Sequence, residues 1–155
     1  MKRPQPVLVA IPILVLLLAG CATLPPRGLS EPGAGLAPCP ASPNCVSTEA
    51  ADARHAMAPI AYTATAEDAQ AHARMALEAE PRTRIVIERP GYLRAEARSR
   101  IFRFVDDVEV VVDSAARVIR FRSASRVGYS DLGVNRARMQ RFTTRLEALQ
   151  KGDGS

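Results

Sequence analysis

The stretch Phe102-Arg-Phe-Val-Asp-Asp-Val-Glu-Val-Val-Val-Asp-Ser-Ala-Ala-Arg-Val-Ile-Arg-Phe-Arg-Ser-Ala-Ser125 decides the fold. Phe102, Phe104, Val108, Val110 and Val112 share one parity, and Ile119, Phe121, Ser123 and Ser125 share the other, across Asp113 to Ala116. Alternate side chains of an extended chain take alternate faces, so the two runs read as a hairpin with one apolar face. A four-residue loop pairs Val110 with Ile119, Val108 with Phe121 and Asp106 with Ser123, and on the other face Asp107 with Arg122 and Glu109 with Arg120. That register satisfies the apolar face and both charge pairs, which a slip by one residue would undo. It also sends Asp106 inward, where an isolated carboxylate is costly. Three arrangements meet that cost: a buried anchor bonded to hydroxyls or loop amides, a bulge at Asp106-Asp107, or a polar pocket shared with Ser123 and Ser125.

Working upstream, Arg84 to Glu88 and Tyr92 to Ala97 alternate around Pro90-Gly91, a second hairpin signal. Ile85 and Ile87 share a face with Leu93 and Ala95 only if Arg89 to Gly91 make a three-residue turn; a two-residue turn sets Arg94 opposite Ile87. Before it, Thr65 with Asp68 resembles a capping box, and a helix from Ala66 to about Glu80 follows, with Ala69, Ala73, Ala76 and Leu77 on one face and Pro81 as its stop. Ile60 to Ala64 reads as a short strand. Downstream, a helix from about Asn135 to Leu149 carries Met139, Phe142, Leu146 and Leu149 as its apolar stripe. The elements predict one α+β domain in the order β-α-β-β-β-β-α, an antiparallel sheet of four or five strands with two helices on one face.

The first 21 residues read as a bacterial lipoprotein signal peptide. Lys2 and Arg3 give a basic start, Val7 to Leu18 an apolar segment, and Leu18-Ala19-Gly20-Cys21 resembles the lipobox whose cysteine is acylated after cleavage. The apolar run is shorter than the roughly 20 residues a membrane span needs, and it contains Pro12. Acyl chains, at about 0.8 kcal/mol per buried methylene, then anchor the protein at Cys21, and Ala22 favours the outer membrane over the inner by resemblance to known sorting behaviour. Residues 21–38 read as the lipidated cysteine and a Pro/Gly-rich tether, residues 39–150 as the domain and residues 151–155 as a disordered tail.

Outside the cytoplasm, Cys39 and Cys45 are expected to form a disulfide, Cys21 being occupied by lipid. Without residues 1–20 the formal charge falls from +5 to +3, and no basic run with interleaved aromatics appears, which excludes nucleic acid as a partner class. Arginines gathered between Arg94 and Arg126 point instead to an anionic envelope ligand, a headgroup or an envelope protein. No metal site and no cofactor is expected, since His55 is the one imidazole near the cysteine pair and His72 stands alone in its helix.

After the hairpin comes Arg122-Ser-Ala-Ser-Arg126-Val-Gly-Tyr129-Ser130-Asp131-Leu-Gly-Val-Asn135-Arg136. With Cys39-Pro-Ala-Ser-Pro-Asn-Cys45 and Phe102-Arg-Phe-Val-Asp-Asp107, it resembles an uncharacterised family of bacterial envelope lipoproteins, domain of unknown function 1499, over about residues 38–149. The resemblance implies a compartment and carries no activity or catalytic residue.

Physically, Ser130 or Asp131 suits a helix cap, and Gly128 and Gly133 suit positive φ. Arg126 and Arg136 flank a loop whose hydroxyls and amides, beside a helix N-terminus, suit an anion. The candidate ligand residues are Asp106, Arg122, Ser123, Ser125, Arg126, Tyr129, Ser130, Asp131, Asn135 and Arg136. The leading expectation is a lipid-anchored, periplasm-facing binding protein. Its rivals are a purely structural lipoprotein and a hydrolase with a serine or carboxylate site, the latter disfavoured because no nucleophile elbow occurs and Lys151 is the one lysine beyond Lys2.

Overall fold

A computed structural model describes residue 29 and residues 35–152, with β5 (Val105–Asp113) and β6 (Val118–Ser125) at its centre. They pair antiparallel, Val108 opposite Ser123, Val110 opposite Phe121 and Val112 opposite Ile119. This register is two residues from the expected one, and the turn explains it. Asp113 ends β5 opposite Val118, and its carboxylate accepts hydrogen bonds from the Ala115 and Ala116 amides at 3.0 and 2.9 Å. The loop therefore runs over Ser114 to Arg117, with Arg117 in the left-handed region at φ 54°. A two-residue slip preserves parity, so the apolar face survives and the cross-strand partners change. Glu109 faces Arg122 rather than Arg120, Asp107 faces Ala124 rather than Arg122, and Asp106 faces Ser125 rather than Ser123.

β4 (Tyr92–Arg98) pairs with β5, and β3 (Thr83–Arg89) lies outside β4. Their turn is Pro90-Gly91, with Gly91 at φ 73°, instead of the expected three residues. Ile87 consequently falls opposite Arg94. A bulge between Ile85 and Ile87 takes up the extra residue and restores Ile85 opposite Ala95, which is how the apolar parity is regained. β1 (Cys45–Ser47) and β2 (Ile60–Ala61) follow one another along the other edge of β6 and complete a six-stranded antiparallel sheet. β1 has no counterpart in the sequence reading: three residues are too few to show a period.

α1 (Ala66–Glu78) starts at Thr65, whose hydroxyl oxygen accepts from the Asp68 amide at 3.1 Å. α2 (Val134–Gly152) buries Met139, Phe142 and Leu146, and it carries Lys151 and Gly152, read from sequence as the start of a disordered tail, as its last residues. Both helices enter one core with Leu93, Ala95, Ala97, Val108, Val110, Val112, Ile119 and Phe121, all of one strand parity, so both cover the same face of the sheet. Phe121 and Phe142 meet edge to face at 5.9 Å. Phe102 and Phe104, expected on this face, lie outside it. The Ser99 amide donates to the Phe104 carbonyl and the Phe104 amide to the Ser99 hydroxyl, so the strand begins only at Val105 and both rings are exposed.

Residues 1–20, Cys21, residues 22–28 and 30–34 of the tether, and residues 153–155 lie outside the described residues. Leu36, at the end of the segment read as tether, is buried. Among the described residues no helix is long and apolar enough to cross a membrane.

Candidate functional site

The end of the sheet at which β5 begins and β6 ends carries polar side chains on both faces. On the helix side the apolar rows give way to Asp106 and Ser125, with Ser123 one row deeper. α2 meets them with Asn135 and Arg138. Arg138 donates to Asp106 Oδ2 at 2.7 Å and to Asn135 Oδ1 at 2.7 Å; Ser123 Oγ also donates to Asn135 Oδ1, and Asn135 Nδ2 reaches Ser125 Oγ at 3.1 Å and the Asn44 carbonyl at 3.2 Å. Asn135 has no solvent exposure. Every arm of its amide is bonded, as a polar group in a low-dielectric interior must be. Asp106 does turn inward, held by an arginine rather than by hydroxyls or loop amides. Arg138 was missed from sequence, although it lies three residues after Asn135, beside Met139 on the inward stripe.

The loop between β6 and α2 builds the helix start. Asp131 accepts from the Gly133 amide at 3.0 Å and the Asn135 amide at 2.7 Å, and Ser130 Oγ from the Leu132 amide at 3.2 Å. Gly128 and Gly133 take φ of 88° and 80°. Arg136 donates to the Ala56 and Arg54 carbonyls at 3.1 and 2.6 Å, which pins the chain after β1 to α2. Tyr129 stands in solvent.

The face without helices is an ionic lattice. Arg126 donates through Nε to Asp107 at 2.7 Å and also reaches Glu96; Arg94 meets Asp107 at 3.1 Å, and Arg98 meets Glu96 at 3.3 Å. Hydrogen bonding to Asp107, with Glu96 adding to it, holds the Arg126 proton above the ordinary arginine range. Deeper along the strands, Arg122 meets Glu109 at 3.4 Å and Tyr92 donates to Glu109 at 3.0 Å. Burial pushes the Tyr92 hydroxyl up, and the Glu109 charge pushes it further. Burial pulls Arg122 down, opposed by Glu109. Arg122 is 3% exposed, and its Nε has no acceptor among the described residues.

Arg122 lines a cavity of about 560 Å³, with Asp107, Arg126 and Gly128 along one side and Pro40 and Ser42 on the other. The second wall is the loop closed by the Cys39–Cys45 disulfide. Two contacts fix that loop. Asn44 Nδ2 donates to the Gly128 carbonyl at 2.6 Å, and His55 stands between Asp52 Oδ2 at 2.8 Å and the Ser42 carbonyl at 3.0 Å. The bond to His55 holds the Asp52 carboxyl below its usual range. Of the ten sequence candidates, Arg122, Ser125 and Arg126 line this cavity; Asp106, Ser123 and Asn135 form the buried network, Ser130 and Asp131 the cap, Arg136 a strut, and Tyr129 none of these. No group of three His, Cys, Asp or Glu side chains among the described residues is placed to hold a metal ion.

Sheet, helices and polar end together define an α+β domain with a disulfide-edged cavity. A family described as "Protein of unknown function (DUF1499)" matches residues 35–146, and the chain belongs to it. The matched span takes in Leu36, both cysteines and every cavity residue. A comparison with curated proteins finds no match.

Proposed function

We propose that this chain is a cell-envelope lipoprotein, acylated at Cys21 and facing the periplasm from the outer membrane, whose domain binds an anionic ligand or partner in the cavity beside Arg122. The observation that carries this reading is the Arg122 guanidinium: buried, on a cavity wall, with a donor nitrogen left over after Glu109 is served. A buried donor without an acceptor is costly, and an oxygen anion in the cavity supplies one where the Arg122 side chain shifts to uncover that nitrogen. Arg126 and Arg136 serve intrachain acceptors, so the ligand contact narrows from the whole Arg122 to Arg136 segment to Arg122 and its rim.

The test is native mass spectrometry and lipid extraction on full-length protein drawn from its own membranes in detergent. Wild type is compared with Arg122→Gln and with Val127→Trp, which fills the rim. An acidic compound carried in stoichiometric amount by wild type and lost from both folded variants supports the reading; identical extracts from all three overturn it. An unacylated, full-length mass in native cells removes the anchor.

A purely structural lipoprotein is the second reading, favoured by the intrachain partners of Arg126, Arg136 and Arg138. A hydrolase has less support: Ser123 Oγ bonds Asn135 and Arg138, and no hydroxyl among the described residues bonds to His55.

A further inference from the structure

The same end of the sheet carries a feature that the cavity does not use. The β4–β5 loop reads Ser99-Arg-Ile-Phe-Arg-Phe104, and Ile101 and Phe102 are 77% and 73% exposed, the rings of Phe102 and Phe104 stacking at 5.5 Å. Arg126 donates its amide to the Val105 carbonyl at 3.1 Å, which sets the start of the β6–α2 loop beside the end of this one. That second loop displays Tyr129 and Leu132, 72% and 94% exposed. Soluble surfaces scatter single apolar residues; several large ones on neighbouring loops at one tip mark a contact surface. The charge beside them is mostly basic. Arg100 and Arg103 are exposed and carry no ion pair among the described residues, and residues 98–104 contain no acid. Asp131, the acid of the second loop, is engaged by the Gly133 and Asn135 amides.

We propose that this tip is a membrane-contact surface, inserting Ile101, Phe102 and Leu132 into the interfacial layer of an anionic phospholipid bilayer while Arg100 and Arg103 meet headgroup phosphates. Apolar and aromatic side chains beside two unpaired arginines, against the single amide-bonded carboxylate of Asp131, match the layering of an anionic lipid surface. Protein interfaces also favour aromatics and arginine, so a protein partner is the alternative that the vesicle-free measurement below tests. The stretch from Cys21 to Gly35 reaches at most about 50 Å when extended, and Gly35 lies beside Glu49, which pairs with Arg120 of β6. A chain held at Cys21 therefore has the reach to lay its tip on the same bilayer. The proposal stands on the tip's own residues and does not require that lipid.

The chain contains no tryptophan, so Phe102→Trp gives a single local reporter at an exposed position. The full-length variant is reconstituted with vesicles of phosphatidylglycerol or phosphatidylcholine whose acyl chains are brominated. Blue-shifted emission quenched by the bromines in phosphatidylglycerol is expected, with binding of the tip weakened roughly tenfold or more by phosphatidylcholine or by adding Arg100→Glu and Arg103→Glu. Vesicle-bound protein with unquenched, water-like emission overturns the proposal, because its N-terminal segment then does the anchoring alone. So does a blue shift that grows with protein concentration in the absence of vesicles, which means that another protein surface covers the tip.

Discussion

Arg138 of α2 donates to Asp106 of β5 at 2.7 Å with both side chains buried, so the last turn-in of the sheet and the start of the long helix are joined by one ion pair. A buried pair of this kind contributes modestly as a whole and costs a great deal when halved. Asp106→Leu or Arg138→Met alone is expected to lose about 3 kcal/mol in urea unfolding, and the double variant Asp106→Leu/Arg138→Met distinctly less than the sum. Additive losses would show that the two residues act independently.

The Cys39–Cys45 bridge closes a short loop, separation 6, that forms one wall of the cavity. Replacing both cysteines by serine is expected to lower stability by about 2 kcal/mol in the chain-entropy account. It should also raise amide exchange at residues 39–45 before any change in β5. Exchange that rises everywhere together would mean that the loop is integral to the central sheet.

Tyr92 gives a pH prediction. Its hydroxyl titrates above the ordinary tyrosine value because it is buried against Glu109, so the folded state holds that proton more tightly than the unfolded chain. The stabilisation is complete below the ordinary value of about 10 and is lost as pH rises above it. Folded wild type and Tyr92→Phe should show the same phenolate absorbance up to about pH 11 and differ by one phenolate once urea unfolds both. A difference in the folded state at that pH would contradict the Glu109 contact.

Thr65 caps α1 through the Asp68 amide. Thr65→Ala is expected to cost about 1 kcal/mol, and Thr65→Ser much less. Equal losses from the two would place the effect in the methyl group.

Alternation made the hairpins, the helix faces and the inward Asp106 legible, because parity survives errors of two residues. Register did not survive, and the reason is specific: Arg120 and Arg122 are themselves two apart, so the wrong pairing of Glu109 looked as good as the right one, and only the Asp113 carboxylate on the turn amides distinguishes them. Phe102 and Phe104 misled for a related cause, their parity continuing past the point where Ser99 ends the ladder. The cavity was hidden because its walls come from residues 38–44, Asp107 and residues 122–128, the first segment brought to the others by β1, whose three residues pair through tertiary contact alone. The single arginines were visible; which carboxylate each would meet was not.

The bulge between Ile85 and Ile87 has a consequence for the company this domain keeps. β6 is sheathed on its far side by β1 and β2, so β3 is the long strand left at the border of the sheet. An unbroken, flat border there would template strand-to-strand stacking between neighbouring molecules. The kink, together with Arg84, Glu88 and Arg89, interrupts that template and opposes polymerisation into fibrils.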